Sequence, residues 1–111
     1  MRYVGKLFLK EPKPMIVVAR ELGMEERKTF ETGDIVGTMQ WRGGTILVML
    51  HLSSGDMVFT EKIEIYAHHV EETEYDEFWK LVIEMLKDII RVEEVPEEEK
   101  SYDYRIKRDG D

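Results

Sequence analysis

The chain has 111 residues, with 16 Lys plus Arg against 24 Asp plus Glu and a formal charge of −8. That length supports one hydrophobic core, and the acidic balance argues against direct nucleic-acid binding, which draws on clustered cations. Hydrophobic residues at 42% and charged residues at 36% exclude both a disordered acidic chain and a membrane-embedded one, and the absence of Cys excludes disulfides, thiolate nucleophiles and Cys-ligated metals.

No stretch approaches the about 18 consecutive apolar residues of a membrane-spanning helix. The longest apolar run, Ile46 to Leu52, contains His51. Lys6 and Lys10 interrupt the N-terminus before an apolar signal region develops, so a cytoplasmic protein is expected. Asn is absent, Gln40 is the single Gln, and 17 of the 24 acids are Glu. Depletion of thermolabile residues beside abundant Glu, Lys and Arg points to a thermophilic source.

Tyr3 to Leu9 alternates as a first strand, which the prolines of Glu11-Pro12-Lys13-Pro14 are expected to end. Met15, Val18, Ala19 and Leu22 then fall at helical spacing before Gly23, although Met15 to Val18 also has the β-branched content of a strand. Helix is the preferred reading. From Thr29 the apolar period becomes two, predicting an antiparallel meander of Asp34–Arg42, Thr45–Leu52 and Met57–Ala67. Gly43-Gly44 is expected to form the first hairpin turn and Ser53-Ser54-Gly55-Asp56 the second.

Thr45–Leu52 is apolar on both parities, with Ile46, Val48, Leu50 and Leu52 on one face and Leu47 and Met49 on the other. A central strand covered on both sides follows from that pattern. The flanking strands read as one-sided. Ile35, Met39 and Trp41 share one apolar face, as do Met57, Phe59, Ile63 and Ile65, leaving Thr60, Lys62 and Glu64 to water. Thr73 then reads as the cap of a long helix extending to Val92, richer in apolar residues than one stripe requires. Beyond Val95-Pro96 lies an acidic connector, followed by Tyr102, Tyr104 and Ile106 alternating with charges as a candidate terminal strand.

The predicted class is α+β: an antiparallel sheet of four to five strands, order β-α-β-β-β-α with the candidate C-terminal strand, and a long C-terminal helix on one face. Residues 1–95 form the domain and residues 96–111 the connector and terminal edge strand.

Chemistry is sparse. His51, on the central strand, is expected to be a neutral, hydrogen-bonded core histidine. Ser53, Ser54 and Asp56 supply the residue types of a triad near His51, but a turn needs the same residues. His68 and His69 with Glu64, Glu71 and Glu72 offer nitrogen and oxygen ligands for a metal-dependent hydrolase, an alternative that requires a turn, because adjacent strand residues point to opposite faces. The glycines match no phosphate-binding fingerprint, and no cofactor is expected. Arg105, Lys107 and Arg108 are too few cations for a nucleic-acid surface, while Glu71, Glu72, Glu74, Glu77 and the acids of 93–99 leave room for an acidic inhibitor or nucleic-acid mimic.

The expected function is therefore a non-catalytic protein–protein interaction module, a homodimer or small accessory subunit. Its contact residues are expected to be Trp79, Ile83, Leu86 and Ile90 on the helix side not used by the core, and Tyr102, Tyr104 and Ile106 on the terminal strand.

Overall fold

The period-two residues from Ile35 onward form three consecutive antiparallel strands at the centre of a five-stranded sheet. In the computed structural model, which describes residues 1–53 and 58–87, the order is β1 (Arg2–Pro14), α1 (Met15–Leu22), β2 (Glu25–Thr29), β3 (Ile35–Trp41), β4 (Gly44–Leu52), β5 (Phe59–His68), a 3-10 turn (Glu72–Glu74) and α2 (Tyr75–Met85). The sheet runs β1-β5-β4-β3-β2, antiparallel throughout.

The α+β class holds, but its fifth strand is β2. Glu-Glu-Arg-Lys-Thr is exposed along its whole length, so it carries no apolar alternation and exists because β3 offers a free edge to pair with. The expected terminal strand at Tyr102, Tyr104 and Ile106 and the connector at 96–111 lie outside the described residues. No helix among the described residues is long and apolar enough to cross a membrane.

Both helices pack on one sheet face. Leu7 and Leu9 of β1, Ile46, Val48 and Leu50 of β4, and Ile63 and Ile65 of β5 are fully buried there, each worth roughly 1.5–3 kcal/mol in apolar burial. α1 adds Met15, Val18, Ala19 and Leu22, the helical spacing read from the sequence. Gly23 ends it at φ 67°, where its N–H donates to Arg20 O at 3.1 Å and the Met24 N–H to Ala19 O at 3.0 Å. This is the paired closure that favours glycine.

Four local expectations are corrected. The prolines do not end β1: after a bulge beyond Phe8, Lys13 pairs with Thr60 and Pro14 with Phe59. As a sheet edge, β1 tolerates a missing N–H that an interior strand would not.

The first hairpin turns on Arg42 (φ 46°) and Gly43 (φ 85°), with Trp41 paired to Gly44. Gly44 is instead a contact position, because an added Cβ would lie 2.4 Å from His69 O and 2.9 Å from His68 O. The change moves the pairing sum by two, so the facing of every side chain in the hairpin is preserved.

In β5, Leu52 pairs with Thr60 while His51 pairs with Lys62. Glu61 is thus the extra residue of a bulge, which turns Thr60 inward, fully buried, and leaves Phe59 37% exposed, reversing the expected facing of both. The buried Thr60 hydroxyl donates to Lys62 O at 3.2 Å.

The second helix is short. Thr73 makes no cap, and the chain enters through the 3-10 turn closed by the Glu74 N–H donating to Glu71 O. α2 spans eleven residues, and Leu86 already has non-helical dihedrals. Its stripe of Tyr75, Phe78, Trp79, Val82 and Leu86 is buried, and α1 shares the same sheet face, which limits how much helix that face can cover. Residues 88–92 of the expected long helix lie outside the described residues.

The hairpin turn is tied to α2 by Arg42, whose guanidinium stands 4.6 Å over the Trp41 ring and donates to Glu77 at 2.7 Å. Trp41 in turn meets Phe78 edge to face. The hydrogen bond from Arg42, and then its charge, hold the Glu77 carboxyl below its ordinary value. A depressed carboxyl stabilises the fold above the ordinary carboxylate range, and that contribution disappears as pH falls through the folded-state value. The thermal midpoint of Glu77→Gln should therefore fall slightly below wild type at neutral pH, the gap being small at this exposed site and closing in acid.

Candidate interaction surface

The sheet face opposite the helices is assembled from the other parity of each strand. Across β1, β5, β4 and β3 the register aligns Tyr3, Tyr66, Leu47 and Thr38 in one row. The next row holds Lys6, Glu64, Met49 and Val36, and the third Phe8, Lys62 and His51. Val36, Leu47, Met49 and Tyr66 are half-buried, shielded by their neighbours within the sheet, and no described helix lies over them. Tyr3 and Tyr66 meet edge to face at 5.4 Å.

One margin of this face is polar. His51 lies between two carboxylates, its Nε2 at 2.6 Å from Glu64 Oε1 and its Nδ1 at 3.7 Å from Asp34 Oδ2. An ionised carboxylate can only accept, so Nε2 carries the proton it donates to Glu64. Asp34 is anchored by accepting the Leu52 N–H at 2.7 Å. His51 is thus hydrogen-bonded as expected but is not in the core: its parity follows Leu47 and Met49, and its side chain is 26% exposed.

Burial, and then the Glu64 charge, raise the Tyr66 phenol above its ordinary value of 10.0. A phenol raised in the folded state contributes stability that is present below pH about 10 and is lost as pH rises through the folded-state value. Wild type should lose stability in alkali more steeply than Tyr66→Phe, measured as denaturation midpoints across that range.

The helix residues expected at an interface go mostly to the chain's own core. Trp79 and Leu86 are 0% and 1% exposed, and Ile83 packs half-buried against them, because the inner sheet face consumes the whole stripe of α2. Ile90, Tyr102, Tyr104 and Ile106 lie outside the described residues.

His68 and His69 do meet. His69 adopts φ 64°, which supplies the required turn and brings the two rings to 3.9 Å between centroids. Glu64 lies four residues along β5 and is engaged with His51, while Glu71 and Glu72 are exposed beyond the strand. Among the described residues no group of three or more His, Asp or Glu is gathered to hold a metal ion. The Ser53 hydroxyl donates to Glu61 at 3.2 Å and is not placed on His51; Ser54 and Asp56 lie outside the described residues.

The clue to the open face was the both-faced apolar pattern of β4, with Leu47 and Met49 opposite Ile46, Val48 and Leu50. That pattern calls for a second covering layer on the side of Leu47 and Met49. Comparison with known proteins finds no matching family model, no matching curated protein and no matching solved structure.

Proposed function

We propose that the chain is a non-catalytic protein–protein interaction module, a homodimer or a small accessory subunit of a larger assembly, docking through the open face of its sheet. The observation that carries this reading is the set Val36, Leu47, Met49 and Tyr66, apolar and half-buried on a face that no described helix covers. Contiguous apolar surface of this kind, rimmed by polar groups, is what protein interfaces are made from. The absence of Asn and the abundance of Glu support a source that grows at high temperature as part of the same proposal.

A native mass spectrum of the protein recovered from its source lysate tests the reading. The expected mass is a multiple of 13.2 kDa or that of this chain with another attached, reverting to the single chain in Leu47→Asp. Monomers for both proteins would refute it.

A further inference from the structure

We infer that the occupant of the open face is a second copy of this chain, the two sheets stacking face to face about a twofold axis near Leu47 and Met49. This rests on the interaction-module reading and names its partner. Three observations select it.

The first is that the sheet edges are guarded while its face is not. β2 presents Glu25, Glu26, Arg27 and Lys28, all exposed, and β1 carries bulges and two prolines. Charges, bulges and prolines are the features that block edge-to-edge pairing. A second copy is therefore directed to the face, where paired sheets pack about 10 Å apart.

The second is charge. The chain carries −8 overall, which opposes self-association, yet the open face is balanced. Lys6 stands opposite Glu64 in the register, Glu64 is also bonded to His51, and Lys62 stands opposite His51, which has Asp34 on its other side. In a twofold arrangement the same patch faces itself, so a patch bearing both signs can pair its charges across the axis, whereas a uniformly acidic one could not.

The third is area. Four strands at about 4.8 Å spacing, on average roughly nine residues long at ~3.4 Å per residue, give a footprint of roughly 600 Å² before side-chain relief is counted. Stable interfaces take about 800 Å² of accessible surface from each partner. Besides Met1 and Tyr3, the exposed large apolar residues among those described are Ile16 and Val17 with the neighbouring Val58, and Phe30, Leu52 and Phe59 at one end of the sheet, groups of three side chains that each cover less than a sheet face.

The test uses the purified full-length protein. Sedimentation equilibrium at micromolar concentration should give twice the chain mass of 13.2 kDa, and Leu47→Asp should weaken the dimer by roughly 1000-fold, because each substitution enters the interface twice. The native chain has no Cys, so Met49→Cys reports on the axis directly: a short bis-maleimide whose reach matches the about 10 Å between stacked sheets should link it into a dimer at least about ten times faster than Ile16→Cys, as expected of a thiol held near its symmetry mate. The cross-link needs no disruptive substitution and so is independent of whether Leu47→Asp folds. A monomeric wild type, or cross-linking that favours Ile16→Cys, overturns the inference. If purified protein is monomeric while the lysate species contains a different chain that Leu47→Asp releases, self-pairing fails and the interaction-module reading stands; monomers in both settings remove both.

Discussion

Trp79→Ala is expected to destabilise the folded chain by about 3–5 kcal/mol, the range for emptying a large aromatic site in a packed core. Trp79 is completely buried and shares the space between α2 and the sheet with Phe78, Val82 and Leu86. No neighbour is long enough to refill that volume, so the lost transfer energy is joined by a cavity cost. For a domain of this size the loss corresponds to a fall of roughly 15–30 °C in thermal midpoint. Denaturant midpoints of the wild type and the variant measure it. The result discriminates between two roles for the helix. A Trp that served an interface would, on removal, change the assembled mass and leave the stability of the single chain nearly intact, whereas a core Trp does the reverse.

Gly44→Ala should be the other severe substitution, costing about 3 kcal/mol, at the upper end of what overpacking produces. Its new Cβ would meet the His69 and His68 carbonyl oxygens and a Val70 methyl at 2.4, 2.9 and 2.6 Å. Two of these are main-chain atoms, so relief requires the 68–70 segment to retreat from the β3–β4 hairpin. That segment leads from β5 toward α2, so the displacement reaches the helix. Gly43→Ala is the informative comparison. There an added Cβ meets nothing within 4 Å, and the penalty comes only from φ 85°, about 1 kcal/mol. Equal losses in the two variants would show that the close approach at Gly44 is not what selects glycine there.

The meander was legible because β3 and β5 alternate apolar and polar residues, β4 between them is a short continuous apolar run, and turn residues separate the three. α1 was legible from Met15, Val18, Ala19 and Leu22 ahead of Gly23. β2 was not, since its residues are exposed and only a partner strand makes it extended. The bulge at Glu61 was equally hidden: nothing local distinguishes Thr60 as the inward residue, and the choice follows from pairing with β4 on one side and β1 on the other. His51 shows the same division, with its facing readable by parity from Leu47 and Met49 but its carboxylate neighbours supplied by β5 and by the residue just before β3.

What the sequence determined by itself was the class of the fold, the three central strands, the first helix and the fact that β4 has two apolar faces, because periodicity and turn chemistry are properties of neighbours along the chain. Only the tertiary structure decided which of those faces the helices cover. α1 and α2 both found their burial on the side of Ile46, Val48 and Leu50, where Trp79 and Leu86 fill the remaining space, and no described helix covers the side of Leu47 and Met49. Local pattern states how much apolar surface needs a partner, but the choice of partner depends on which surfaces meet once the chain has closed, and that is a long-range competition that no segment records alone.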